Sequence, residues 1–90
     1  MITWARSATK HRVARGRSAF VIEHCGLVFR VPAPAGQVDD RLLFLGDDEE
    51  GIALEVMAVE LQGGGLYVIH AMGLRERYRP QYKEAKRWRI

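Results

Sequence analysis

The sequence contains little cysteine and no long hydrophobic stretch. Cys25 is the only cysteine among the 90 residues, which excludes an internal disulfide and favours a reducing compartment. No apolar run approaches the roughly 20 residues that a membrane-spanning helix needs, and the charged N-terminal segment lacks the apolar core of a signal peptide. These absences predict a cytoplasmic protein that does not enter a membrane.

Motifs for a bound metal or nucleotide are missing as well. His24 and Cys25 would make half of a zinc site, but no second pair follows at the required spacing. The three glycines at 63–65 precede no helical pattern, as a phosphate-binding loop would, and they predict a hairpin turn instead. The sequence therefore predicts no metal and no other cofactor.

Repeats and low-complexity tracts are also absent, and the apolar content of 48% is ordinary for a globular protein. A chain of 90 residues can bury one modest hydrophobic core. We expect residues 1–90 to form a single domain.

The charged residues are unevenly distributed along the chain. Basic residues dominate residues 1–30 and 75–90, whereas residues 31–74 hold eight acidic residues against the single basic residue Arg41. This segregation favours a one-sided electric field that attracts phosphates or an acidic partner. Two ordinary solvated helices would produce the same charge pattern.

Hydrophobic patterning predicts an α+β domain. The predicted elements are a short edge strand at 2–4, two short helices within 7–25 broken around 13–17, strands at 27–31, 41–45, 52–61 and 66–72, and a C-terminal helix. Pro32, Pro34 and Gly36 close the first of the four later strands, and Pro80 marks the first turn of the last helix. The four later strands are expected to form an antiparallel sheet with all helices on one face, which leaves the other face open.

The C-terminal helix carries an apolar stripe that is expected to lie on the sheet. Its members recur at helical spacing: Leu74, Tyr78, Tyr82, Ala85 and Trp88. The rings of the two tyrosines are therefore expected in the core, so that only their hydroxyls are candidates for chemistry.

A histidine at the end of the last strand is followed closely by arginines. Strand alternation places His70 on the same face as Val68 and Met72, near water at the strand end. Cleavage of RNA without a metal needs a proton acceptor and donor, together with preorganised cations for the charge on phosphorus. His70, Arg75, Arg77 and Tyr78 supply these groups and are the candidate catalytic residues. A structural histidine bonded to a backbone carbonyl, beside solvated arginines, is the alternative.

Further residues are candidates for binding RNA through their charge or aromatic character: Lys10, His11, Arg12, Arg79, Tyr82 and Lys83. Glu55 lies in the middle of a strand, where it could act as a base on the open face of the sheet. A surface position is the interpretation we favour for Glu55.

Several short motifs resemble the BrnT family of bacterial toxins. They are Ile2-Thr3-Trp4, Lys10-His11 with Val13, Ala19 to His24, Leu27-Val28-Phe29, Asp40-Arg41, Phe44-Leu45-Gly46, Val68 to Ala71, and Glu76-Arg77 with Tyr78 or Tyr82. The resemblance spans nearly the whole chain. It implies a RelE-like fold and a small endoribonuclease that blocks translation by cleaving RNA, including ribosome-associated mRNA. It also implies a cognate antitoxin as partner, and either a homodimer or a toxin–antitoxin hetero-oligomer as the assembly.

One departure from the family pattern supports a second function class. Family members commonly have Ile-Ser-Ala-Arg at the end of the last strand, where this chain has Ile69-His70-Ala71-Met72. Loss of that arginine favours a non-catalytic module that binds nucleic acid or a protein through the same basic face.

Overall fold

A mixed β-sheet forms the centre of the protein. The structure, a computed structural model, describes residues 1–33, 35–36 and 40–88. Within them the strands are β1 (Ile2–Trp4), β2 (Val28–Val31), β3 (Arg41–Asp47), β4 (Ala53–Glu60) and β5 (Leu66–Gly73). The helices are α1 (Arg15–His24) and α2 (Arg79–Arg87), and 3-10 turns cover Arg6–Thr9 and Glu76–Tyr78. The predicted α+β class is confirmed, and no helix in these ranges is long and apolar enough to cross a membrane.

The sheet has the strand order β1-β5-β4-β3-β2. The four predicted strands pair antiparallel in chain order. The prediction of a four-stranded, purely antiparallel sheet is nevertheless wrong, because β1 adds a fifth strand parallel to β5, with Ile2 opposite Leu66 and Trp4 opposite Val68. A parallel neighbour requires a long crossover, and here the whole chain between the two strands supplies it.

The first of the two predicted N-terminal helices is only a 3-10 turn. The hydroxyl of Ser7 donates to the carbonyl of Ile69 at 2.9 Å, and the hydroxyl of Thr9 donates to the carbonyl of Arg6 at 3.2 Å. Such bonds to the backbone compete with a longer helix, and Arg12 then enters the left-handed region with φ of 63°. The α-helix begins at Arg15, inside the segment 13–17 where a break between two helices is predicted.

The helices lie on opposite faces of the sheet, which corrects the expectation of one covered and one open face. On one face Val21 of α1 packs with Phe44 and Val56. On the other, Tyr78 and Tyr82 pack against Leu43 and Leu45. The run Leu42-Leu43-Phe44-Leu45 explains the arrangement, because a strand that is apolar on both faces needs cover on both.

The C-terminal helix begins as predicted, with Pro80 in its first turn. Tyr78, Tyr82 and Ala85 are buried, but Trp88 is 61% exposed, so the predicted burial of this tryptophan is wrong. The helix ends at Arg87, and the Trp88 indole turns back to donate to Glu84 Oε1 at 3.2 Å. Pro34 and the last two residues of the basic segment 75–90, both used in the sequence argument, lie outside the described residues.

Candidate active site

A buried carboxylate in the middle of β4 organises the candidate site. Glu55 has no exposed surface, so the prediction of a surface residue is wrong. Its Oε1 accepts the backbone N–H of Arg75 at 2.9 Å. The Arg75 side chain donates from Nε at 3.1 Å and 3.0 Å to the two carboxylate oxygens and from Nη2 at 2.7 Å to Oε2. The carboxylate is thus held by an arginine that follows the next strand.

The surroundings of Glu55 keep it ionised. Burial by itself raises the pKa of the carboxyl, but hydrogen bonds from the Arg75 side chain, the Arg75 backbone and His70 outweigh it and hold the pKa below the ordinary 4.5. The same hydrogen bond raises the pKa of Arg75. At neutral pH the two residues therefore form a permanent ion pair.

His70 completes the environment of the carboxylate. Nε2 of His70 lies 3.0 Å from Oε2 of Glu55. An ionised carboxylate can only accept hydrogen bonds, so Nε2 carries the proton and a neutral ring has its lone pair on Nδ1. The His70 side chain is 20% exposed, and within the described residues Nδ1 has no hydrogen-bond partner. The predicted structural alternative, a bond from His70 to a backbone carbonyl, is not what the structure shows in these residues.

A β-bulge aims His70 at Glu55. His70 lies opposite Met57, but the next pair is Ala58 with Val68, so Ile69 is an extra residue in β5. The bulge moves His70 off the face that carries Val68, and the predicted shared face of these two residues is wrong. Met72, opposite Glu55, remains on the His70 side. Bulges of this kind commonly re-aim a side chain next to a functional site.

Two arginines lie over one tyrosine beside this cluster. The guanidinium carbon of Arg75 is 5.6 Å from the centre of the Tyr78 ring, and that of Arg77 is 5.0 Å from it. The ring is buried, while Arg77 is exposed. Cation–π contacts of this type hold guanidinium groups in place. The structure therefore joins all four predicted catalytic residues, His70, Arg75, Arg77 and Tyr78, through Glu55 and the Tyr78 ring.

The predicted RNA-binding residues fall into two groups. His11 packs against His70, with ring centres 5.8 Å apart and planes inclined by 73°, and its neighbours Lys10 and Arg12 are exposed. The remaining three belong to α2. Arg79 pairs with Glu76 at 3.2 Å, Tyr82 donates its hydroxyl to Asp47, and Lys83 is exposed. Of the six, His11 contacts His70, and Tyr82 belongs with Tyr78 to the buried cluster that also holds Leu43 and Leu45.

The sequence prediction of the candidate site does not include Glu55, although the apolar residues on either side of it indicate an unusual position for a carboxylate. Glu55 stands between Ala53 and Met57 on a face where the alternate residues are apolar. A carboxylate in such a position needs a cationic partner when the face is covered. That partner, Arg75, is twenty residues further along the chain, and a strand pattern carries no information about it.

Two clefts in the described part of the chain are lined by residues outside this cluster. A cleft of about 450 Å³ is lined by Arg17, Ile52 and residues 48–50, and one of about 290 Å³ by Trp88 and residues 23–26. No group of three or more His, Cys, Asp or Glu side chains placed to hold a metal ion occurs in residues 1–33, 35–36 and 40–88.

Comparison of the chain with protein-family models, with curated proteins and with solved structures finds no match in any of the three. The case for a function therefore depends on the residues of the site. They provide an imidazole oriented by a buried carboxylate, with two guanidinium groups nearby. Such a set can accept a proton from a hydroxyl and stabilise negative charge on a phosphate.

Proposed function

We propose that the protein is a metal-independent endoribonuclease that resembles the BrnT toxins. The observation that carries the proposal is the hydrogen bond from His70 to Glu55. A carboxylate that holds an imidazole in one tautomer leaves the opposite ring nitrogen as a base, which is the principle of the Ser-His-Asp triad. Glu55 holds Nε2–H in this way, so Nδ1 of His70 is the proton acceptor.

The proposed reaction is attack by a ribose 2′-hydroxyl on the adjacent phosphorus. His70 takes the proton of the 2′-hydroxyl while the 2′-oxygen forms its bond to phosphorus. The bond from phosphorus to the 5′-oxygen breaks, and that oxygen leaves with a proton. The products are a 2′,3′-cyclic phosphate and a 5′-hydroxyl end. No oxidant, reductant or second substrate is required.

The arginines stabilise the charge that gathers on the phosphoryl oxygens. Arg77 is exposed, and its guanidinium is held over Tyr78, so it is placed to bind phosphate with two parallel hydrogen bonds. Arg75 uses Nε and Nη2 for Glu55, which leaves the Nη1 donors for the substrate. The Tyr78 hydroxyl has no hydrogen-bond partner within the described residues and is a further donor to phosphate.

RNA outside the scissile bond is proposed to lie along exposed cations. Lys10 and Arg12 flank His11, while Arg79 and Lys83 are exposed cations of α2. The Tyr82 hydroxyl is engaged with Asp47 and its ring is buried, so we assign Tyr82 a structural part rather than the predicted RNA-binding one.

The resemblance to BrnT supports the biological setting of the proposal. A toxin of this kind acts on RNA in the cytoplasm, blocks translation and is neutralised by a cognate antitoxin in a hetero-oligomer. Arrest of growth when the chain is expressed alone, relieved by the product of a neighbouring reading frame, is the expected cellular result.

The proposal is tested with purified protein and mixed-sequence RNA in EDTA. Wild-type protein should produce fragments, and His70→Ala should slow cleavage by about 10²-fold or more. The matched control is His24→Ala, because His24 is an exposed histidine at the end of α1. Among the described residues its hydrogen-bond partner is the Phe20 carbonyl at 2.9 Å, and its ring stacks on the Phe20 ring. Intact RNA at every concentration of folded protein, or cleavage that EDTA abolishes, would refute the proposal.

A second candidate function is a non-catalytic module that binds nucleic acid. The use of Arg75 as an internal partner of Glu55 favours it, because that ion pair also has a purely structural value. Such a module would bind RNA with an affinity that falls steeply with salt, would leave RNA intact, and would not arrest growth.

A further inference from the structure

We propose that His11 is the general acid that gives a proton to the leaving 5′-oxygen. The inference rests on the proposed ribonuclease function and assigns the step that His70, acting as the base, cannot perform at the same time. In an in-line displacement the attacking and leaving oxygens lie on opposite sides of one phosphorus atom. The acid and the base must therefore be separate groups that are close enough to serve a single phosphate.

His11 meets this requirement through its contact with His70. The ring centres are 5.8 Å apart, although the residues are far apart in sequence. In the described part of the chain neither nitrogen of His11 has a hydrogen-bond partner, and the side chain is exposed. Both nitrogens are thus available to water and substrate, unlike those of His70, whose Nε2 is occupied by Glu55.

The backbone around His11 is held firmly, which a donor of protons in a fixed direction requires. Ala8 and Val13 on either side are buried in the core. The Ser7 hydroxyl bonds the carbonyl of Ile69, the residue before His70, at 2.9 Å. Arg12 adopts a φ of 63°, a conformation that side-chain-bearing residues rarely take and that is often retained near functional sites. The tight turn therefore presents His11 at the edge of β5, beside the bulge.

Other groups near the site are less suited to this step. Glu55 is ionised and has no exposed surface. Arg75 and Arg77 hold their protons too strongly to act as acids. Histidine in its charged form transfers a proton readily near neutral pH, so His11 is the group in contact with His70 that can perform the step.

The test uses an RNA oligonucleotide with one bond that the wild-type protein cleaves. It is synthesised in two forms, with either oxygen or sulfur at the 5′ bridging position of that bond. A thiolate leaves without needing a proton, so the sulfur form does not require a general acid. His11→Ala should slow cleavage of the oxygen form by about 10²-fold and should cleave the sulfur form within a fewfold of the wild-type rate. His70→Ala should cleave both forms slowly. His24→Ala should cleave both forms at the wild-type rate.

The outcomes separate this inference from the proposed function. If His11→Ala slows both forms equally, or neither, His11 is not the acid, while a slow His70→Ala still supports the ribonuclease. If His11→Ala slows only the oxygen form and His70→Ala slows neither, the acid is correct and the proposed base is wrong. A wild-type protein that cleaves neither form refutes both. His11→Gln, which keeps a polar side chain, should behave as His11→Ala does, and an unfolding midpoint equal to that of the wild type excludes a folding defect.

Discussion

Nε2 of His70 lies 3.0 Å from Oε2 of Glu55, a carboxylate with no exposed surface. The two residues come from neighbouring strands, and they meet because Ile69 is bulged out of the pairing between β4 and β5. Arg75 neutralises the carboxylate and donates from Nη2 to the same oxygen, Oε2, at 2.7 Å. A histidine held in this way has one fixed tautomer, which is the property on which the proposed chemistry depends.

Replacement of Glu55 tests that arrangement. Glu55→Gln removes the charge and leaves Arg75 and His70 facing an amide, so we expect a loss of about 2 kcal/mol of unfolding free energy, the value of a hydrogen bond to a charged group. The cleavage rate per folded molecule should fall at least about tenfold, because the His70 tautomer is no longer fixed. Urea unfolding and initial rates measure the two effects.

The matched control is Glu60→Gln at the exposed end of the same strand. Glu60 makes an exposed ion pair with Arg30 at 3.5 Å, so its replacement should change stability by less than about 0.5 kcal/mol. If Glu55→Gln has as little effect on stability and on rate as the control, the contacts of Glu55 with His70 and Arg75 neither stabilise the fold nor fix the tautomer of His70.

The protein should become less stable in acid because the carboxylates of Asp48 and Glu55 become protonated. The backbone N–H of Ile52 donates a hydrogen bond to the Asp48 carboxylate, and this bond is the main cause that lowers the pKa of Asp48 below 3.8. Burial raises the pKa, but hydrogen bonds from Arg17 and Glu50 lower it further. Although burial raises the pKa of Glu55, its hydrogen bonds keep it below 4.5. The unfolded chain therefore binds these protons at higher pH than the folded chain. The stabilisation is complete above the unfolded values and is lost as the pH falls through the folded ones.

The measurement is the urea midpoint as a function of pH. It should be steady from neutral pH to about 5 and then decline, and the decline should be shallower in Glu55→Gln than in the wild type. Identical pH profiles for the two proteins would contradict a lowered pKa of Glu55.

Parts of the fold follow from sequence patterns, and other parts depend on contacts that no pattern contains. Alternation along β4 and Pro80 in the first turn of α2 are sufficient to predict those elements. The run Leu42 to Leu45, apolar at every position, also indicates a strand covered on both faces. The position of His70, in contrast, depends on a bulge of one residue, which period-two reasoning cannot detect and which reverses the face of every residue beyond it.

Arg77 should contribute to RNA binding and cleavage, and little to the stability of the fold. Its guanidinium is exposed and touches the Tyr78 ring at 5.0 Å, so Arg77→Ala should cost less than about 1 kcal/mol of stability. RNA affinity or cleavage should fall roughly tenfold to a hundredfold, equivalent to one charge-assisted hydrogen bond. Arg77→Lys should recover only part of the loss, since lysine lacks the bidentate fork.

Arg30→Ala is the control for Arg77, because Arg30 lies on β2 at the opposite edge of the sheet from β1 and β5. Both variants remove one positive charge. An equal loss of RNA binding in the two would mean that net charge alone, rather than the group beside Tyr78, accounts for the interaction.

The most direct test of the central claim compares two oligonucleotides in EDTA at excess protein. One is RNA with a mapped cleavage site, and the other has a single 2′-deoxyribose at that site. The account predicts that wild-type protein cleaves only the first, leaving a 2′,3′-cyclic phosphate, and that His70→Ala is slower by about 10²-fold or more while His24→Ala is unchanged. Equal cleavage of the two oligonucleotides, or a full rate for His70→Ala, would contradict it.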